Sequence, residues 1–451
     1  MVILNIITLK IKIWIPLIAM ALMLLSFGNV KAEEKKIDPL LQEYMEKDPL
    51  LKEWLEIIDF YPKRDREWEK KWVGKTIDET NVDQVKDLLP QIAYLAIKSK
   101  NWNAYAPVEP ATINWRPSKG FIEATKKGMG KVTVESECPY IMRNFVAGMP
   151  FPRPGNDPVK IAWNRDRGCY EGDSWSCHTL LFEVYDSKGR GRTVGCDYNR
   201  LYWGHRTDLE PKPDLPGNKA GIYRTTGLRV RSPFDIAGLS LLVIKYKDTH
   251  KEEDLYLYVP TMRRVRRLSA GQRCDSLAGT DAAWDDCDVY DGEVRQNDYK
   301  FIGIQDKLTW YDVHYPYPET ADWEGGYFSG LPLQKHPMYV MEANSNIPNF
   351  CYSKRIWYID PVSSRIYNAT LYDRKGRLWK EQFSAMTKSM KNPDIPKNIP
   401  AAATQVLDWQ AQHNSPWHYE PPEEGKVIGP ITHYPWDPVV FTPEGIKRMG
   451  H

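Results

Sequence analysis

Apolar positions follow a helical spacing in the first hundred residues and a strand-like spacing after about residue 130. Leu40, Leu41, Tyr44 and Met45, then Leu50, Leu51, Trp54, Leu55 and Ile58, recur at intervals of three and four, which predicts helices within residues 33–75. Asp48-Pro49 opens the second of them, with proline at the first turn, where its missing N–H costs nothing. A further helix is predicted from about Thr80. Thr80 with Asp83 resembles a capping box, and Val82, Val85, Leu88 or Leu89, and Ile92 form one apolar face. A helix with one apolar face must cover something, and a sheet is the expected partner. Beyond residue 130, Lys131 to Glu135 alternates and Leu180 to Tyr185 reads as a short strand. Leu239 to Tyr246 is apolar on both faces, so it should be covered on both sides, and Leu255 to Val259 should return beside it as a hairpin. Ala401 to Gln412 is expected to be helical. The remaining Pro-rich end reads as an extended tail packed through Trp409, Trp417, Tyr419, Tyr434 and Trp436.

Turn chemistry recurs along the β region. Tyr258-Val259-Pro260 leads to Arg264-Val265 as Ile359-Asp360-Pro361 leads to Arg365-Ile366, and Tyr185 to Arg190 echoes Tyr372 to Arg377. The glycines at these tips supply the positive φ that tight hairpins need. The echoes allow either a duplicated architecture or one turn chemistry reused along a meander, and the second is the simpler.

Composition sharpens this picture. The chain of 451 residues holds 17 Trp, 26 Tyr and 34 Pro. Aromatics suit pleated sheets and apolar ligand sites, and this much proline argues against an all-helical fold. A net charge of +2 gives no field that would make nucleic acid a main partner. At the N-terminus, Lys10 and Lys12 precede an apolar stretch from Ile13 to Phe27, and Val30-Lys31-Ala32 fits a cleavage site. The expectation is therefore a signal peptide over 1–32, cut after Ala32, and a periplasmic chain. An uncleaved anchor fits less well, because the stretch is short and contains Pro16. No later run is long enough to span a bilayer, so the mature part should carry no transmembrane segment.

Candidate chemistry is sparse. Of seven Cys, Cys274 and Cys287 flank one loop and form the expected disulfide, with a second pair expected among Cys169, Cys177 and Cys196. No C-x-x-C pair suggests zinc, and Cys177-His178 lacks the partner that haem attachment needs. Arg263, Arg264, Arg266 and Arg267 form a basic run shortly before Asp281, Asp285, Asp286, Asp288 and Asp291. Either the arginines recognise an anionic group, or they form an internal Arg–Asp network; closeness in sequence favours the network. Asp286, Asp288, Asp291 and Glu293 could hold calcium, but their spacing departs from the EF-hand loop. No G-x-S-x-G, H-E-x-x-H, Walker or dinucleotide motif occurs, and His178, His205, His314, His336 and His418 each stand alone. No catalytic residue, metal or cofactor is assigned. Tyr256 with Tyr258, and Trp357 with Tyr358, read either as core or as one wall of an apolar cavity. Together with Trp163, Arg264 and Arg266 they form the candidate ligand-binding set.

Several segments together resemble the bacterial family catalogued as domain of unknown function 1329. They are Phe145 to Pro152, Lys160 to Asn164, Tyr258 to Pro260 with Arg263 to Leu268, Gly279 to Asp281 with Asp285 and Asp286, Tyr358 to Pro361, Tyr372 to Trp379, and Phe441 to Pro443. The resemblance runs from about residue 75 to the end, so residues 76–451 are expected to form the main domain after the 33–75 helical segment. It implies a mainly β (α+β) fold similar to the LolA/LolB lipoprotein carriers: a curved antiparallel sheet, an incomplete barrel, with helices over an apolar cavity. It also implies a non-catalytic carrier for a lipid or other hydrophobic compound, working with an exporter of the resistance-nodulation-division (RND) type. Two other functions fit the chain: a scaffold subunit of an envelope transport complex, and a cell-envelope hydrolase.

Overall fold

Ser240 to Tyr246 is buried at every position, and such a strand must be covered on both faces. It lies well inside one large antiparallel sheet. The computed structural model describes residues 37–449 apart from 100–101, 103, 114, 170, 187, 314–328, 388–400 and 420–430. The predicted signal peptide and His314 lie outside the described residues.

The first run of strands comprises β1 (Ser174–Asp186), β2 (Gly189–Tyr202), β3 (Ile222–Ser232), β4 (Ser240–Tyr246), β5 (Asp254–Val259) and β6 (Arg264–Arg267). The second comprises β7 (Asn297–Thr309), β8 (Gln334–Ser345), β9 (Tyr352–Ile359), β10 (Ile366–Asp373), β11 (Leu378–Thr387), β12 (Ala401–Asp408) and β13 (His413–Tyr419), followed by the short β14 (Ile431–Thr432). The order across the 14-stranded sheet is β6-β5-β4-β3-β2-β1-β13-β12-β11-β10-β9-β8-β7, with β14 also against β1. Each run is a meander, and the two join where β1 meets β13. The sheet does not close on itself: β6 and β7 end the path as edges. The mainly β class is as the sequence pattern predicts, and the open curved sheet is as the family resemblance implies.

Ala401–Asp408 is a strand, not the expected helix. Val406 and Leu407 are fully buried between β11 and β13, and pairing on both sides overrides the helical preference of the alanines. The expected helix and the expected tail thus contribute one central strand each, and Trp417 packs on Phe182 across the join at 4.5 Å. The segment from Thr80 is a 3-10 helix, Val82–Leu88, followed by an α-helix, Gln91–Ser99, with Pro90 between them. Thr80 does not cap it; its hydroxyl donates to Asp78 at 2.6 Å. The predicted face is still buried through Val82, Val85, Leu89 and Ile92.

Helices α1 (Pro39–Lys47) and α2 (Pro49–Ile58) form as predicted, with Asp48 accepting from the Leu50 and Leu51 amides. Trp54 on α2 is fully buried and donates to the Val362 carbonyl, in the turn after β9, at 3.0 Å. Helix α3 (Pro158–Arg167) packs beside β7, and α4 (Pro443–Met449) lies over β4, β5 and β6.

Candidate functional site

The chain crosses from β6 to β7 through residues 268–296, and this crossing segment lies on the inner face of the sheet. Ala282, Trp284 and Cys287 join the core of the first meander, and Val289, Tyr290 and Val294 join that of the second. The inner face is therefore filled by the chain's own segment, where an apolar hollow was expected. The reason is electrostatic: strand side chains aim cations at the crossing acids. Arg200 on β2 pairs with Glu171, with Asp288 at 2.7 Å and with Asp291 at 3.6 Å. Arg224 on β3 also pairs with Asp291, and Lys245 on β4 reaches it at 3.0 Å. Tyr352 on β9 donates to Asp286 at 2.6 Å, and Arg273 binds Asp285 and Glu253.

Burial alone would raise the Asp291 carboxyl, but Arg224, Lys245 and Arg200 outweigh it and hold the group well below the usual range. The internal Arg–Asp network exists, but its cations come from the sheet and from Arg273. Arg264 and Arg266 are exposed on the edge strand, and Arg267 binds Asp254. Asp286 and Asp291 face cations, so these acids are not a calcium cage.

The disulfide also differs from expectation. Cys274 bonds Cys351, with Cα atoms 5.8 Å apart, and not Cys287. The 3-10 turn carrying Cys287 presses it into the sheet core beside Cys177 and Cys196, whereas Cys274 lies against the β8–β9 connection. No disulfide joins any two of Cys169, Cys177 and Cys196, so the second expected pair does not form.

Beside the ends of β5 and β6, the crossing segment and the β8–β9 connection leave a cleft of about 680 Å³. Leu255, Leu268, Ile347 and Pro348 give it apolar surface, and Glu252, Glu253, Glu293, Arg267, Arg273 and Arg295 give it charge. Each arginine is already engaged: Arg267 by Asp254, Arg273 by Glu253 and Asp285, and Arg295 by Glu293 at 3.2 Å. The cleft thus offers apolar walls and hydrogen-bonding groups without a strong net charge. The Cys274–Cys351 bond ties the crossing segment to the β8–β9 connection that supplies Ile347 and Pro348.

None of the seven predicted ligand residues lines this cleft. Trp163 donates its indole N–H to the Tyr140 carbonyl at 3.0 Å and shares a core with Trp357, which packs on Tyr290 at 4.8 Å. Tyr358 lies in a separate cluster with Tyr311 and Tyr367. Tyr256 and Tyr258 pack with Phe441 and Ile446 in a third. Sequence reasoning missed Leu255, Leu268, Arg273, Arg295 and Ile347. The available signal was the length of the aperiodic connection between β6 and β7, since long connections in compact domains are commonly functional.

The histidines are less isolated than their spacing suggests. His178 Nε2 lies 2.7 Å from Ser176 Oγ, and its Nδ1 lies 3.4 Å from Asp197. Ser176 is fully buried and its hydroxyl also donates to Asn199 at 2.9 Å, so this trio presents no open nucleophile. Burial pushes His205 and His336 down to about 3, so both are neutral at ordinary pH. Asp173, Asp208 and His433 bring possible metal-ligand atoms within 4.8 Å of one another. The Asp173 carboxylate, however, already accepts from the amides of Thr207, Asp208 and Leu209.

Residues 76–444 match the model of a family described as protein of unknown function DUF1329. No curated protein matches the chain. Similar solved structures include an outer membrane lipoprotein-sorting protein domain from Vibrio parahaemolyticus, 17% identical with a TM-score of 0.45, covering 64% of this chain and 98% of that one. A DUF1329 family protein from Desulfovibrio piger is 15% identical with a TM-score of 0.44, covering 64% and 97%. A LolA superfamily protein from Nitrosomonas europaea is 14% identical with a TM-score of 0.35, covering 62% and 96%. Likenesses of this size carry no argument about function.

Proposed function

The chain belongs to the DUF1329 family, and on that footing we propose that it is a periplasmic binding and carrier protein for a hydrophobic or amphiphilic molecule. The observation that carries this reading is the cleft at the sheet opening. Its volume lies within the range of about 300–1,000 Å³ usual for small-molecule sites. Leu255, Leu268 and Ile347 would cover an apolar chain, and the balanced acids and arginines around them suit a neutral or zwitterionic head group. On this reading the ligand occupies the cleft between the end of β6 and the β8–β9 connection, not a hollow behind the sheet. The carrier would exchange its cargo with an envelope exporter of the RND type.

The test is a titration with a fluorescent lysophosphatidylcholine. Saturable one-site binding is expected, weakened at least about tenfold by Leu268→Glu or Ile347→Glu, because each places a charge where apolar surface should be covered. Absent binding, or binding indifferent to both substitutions, rejects the proposal.

A further inference from the structure

In an antiparallel sheet alternate strands run the same way, so the β1–β2, β3–β4 and β5–β6 hairpins all turn at one rim of the first meander. Arg192 after the first turn pairs with Asp235 in the second at 3.3 Å, which places those two tips side by side. The third tip follows directly, because β4 pairs with β5 from Ser240↔Tyr258 onward.

What these tips carry is unusual for a surface facing only water. Phe234, on the β3–β4 tip, is 98% exposed. Met262, on the β5–β6 tip, is 47% exposed. Arg263, Arg264 and Arg266 beside it are exposed, and among the described residues none has a carboxylate partner. Lys188, on the first tip, is exposed as well. Of the acids at this rim, Asp235 pairs with Arg192 and Asp197 with Arg231 at 3.2 Å, while Asp186 accepts from the Lys188 amide and keeps its charge against the four cations. The rim therefore has an uncompensated positive charge with two apolar side chains projecting from it.

We propose that this rim docks on an anionic lipid surface. Phe234 and Met262 enter the boundary between head groups and acyl chains, and Lys188, Arg263, Arg264 and Arg266 face the lipid phosphates. The shape favours a membrane over a protein partner. The apolar residues stand singly on projecting tips with cations between them, whereas a protein interface wants a contiguous apolar core with charge at its margin. A fluid surface closes around isolated projections, and lipid attraction grows with both the apolar area inserted and the number of cations near the head groups. The inference does not depend on what fills the cleft.

Co-sedimentation of the purified protein with phosphatidylglycerol-containing vesicles and with pure phosphatidylcholine vesicles tests it. Binding to the anionic vesicles alone is expected, fading as salt rises. Phe234→Asp should weaken it about tenfold, since it removes inserted apolar area and adds a repelled charge. Arg263→Glu with Arg264→Glu should weaken it by more than about fivefold per position. Val146→Asp should leave it unchanged; Val146 is 61% exposed but meets His205 in the β2–β3 connection, at the opposite rim. All these side chains are exposed, so thermal melting should be unaltered, which separates docking from misfolding. Equal binding to both vesicle types, binding to neither, or full binding by both rim variants overturns the proposal.

Discussion

Asp291→Ala is the substitution that most directly probes how the crossing segment is held. Asp291 is 5% exposed and receives Arg224, Lys245 at 3.0 Å and Arg200 at 3.6 Å. Without it, Arg200 keeps Glu171 and Asp288, and Lys245 keeps Asp166 at 3.5 Å. Arg224 keeps a 3.4 Å contact with the Thr226 hydroxyl and the face of Tyr223 at 5.9 Å, but among the described residues no other carboxylate within ion-pair distance. Stranding a buried cation in this way typically costs about 3–5 kcal/mol, a large part of the roughly 5–15 kcal/mol that holds a domain folded. Urea unfolding at neutral pH and low salt should register that loss. Adding Arg224→Met should recover part of it, because replacing both partners leaves no orphan charge, and a double-mutant cycle should give a coupling of about 2 kcal/mol. The pH dependence has a definite sign. The folded Asp291 carboxyl lies below its unfolded value, so its contribution is complete above the ordinary carboxylate range and fades as pH falls. The alanine variant should therefore lose less stability on acidification than the parent. A cost below about 1 kcal/mol, or a double variant no more stable than the single, would refute this account of the network.

Three other outcomes are expected. Burial pushes Glu381 on β11 from its ordinary 4.5 up to about 8; the folded state then holds the proton more tightly than the unfolded state, so stability should fall as pH rises between those values. Glu381→Gln, which keeps an acceptor for the Thr370 hydroxyl at 2.8 Å, should cancel that fall and gain up to about 4 kcal/mol on the alkaline side, read by urea melts across pH. Cys274→Ser removes a bond closing a sequence separation of 77 residues and should cost about 4 kcal/mol in the chain-entropy model, with faster proteolysis of the crossing segment. Gly148→Ala should lower the melting temperature through a loss of about 1–3 kcal/mol, because Gly148 has a φ of +85° and an added Cβ would lie 2.5 Å from the Thr125 amide.

Much of the sheet was legible because its strands carry their own signals. Ser240–Tyr246 is apolar on both faces, and the two Lys-Gly tips mark the β1–β2 and β10–β11 hairpins. The repeated tips fall at unlike places in the two meanders, so they reflect shared turn chemistry rather than duplication. The β12 strand was hidden because three alanines and a glutamine favour helix until partners on both sides are present. The join of β1 with β13 pairs Tyr185 with Asn414, a contact between distant segments that no local pattern reports. The same reason hid the disulfide and the cleft. Leu268 and Ile347 line one opening from connections far apart in the sequence, and the cations that hold Asp291 come from three strands, not from the neighbouring Arg run. The aromatic pairs were visible, but core packing and cavity lining have the same composition; Tyr256 and Tyr258 went to one core cluster, and Trp357 and Tyr358 to two.

The central claim is that an amphiphile sits in the cleft between the end of β6, the crossing segment and the β8–β9 connection. Photo-crosslinking with a diazirine-bearing lysophospholipid, followed by peptide mapping, locates the bound chain directly. The account predicts adducts on the segments holding Leu255, Leu268, Ile347 and Pro348, competed away by unlabelled lipid. Adducts confined to other parts of the sheet, or labelling that unlabelled lipid does not reduce, would contradict it.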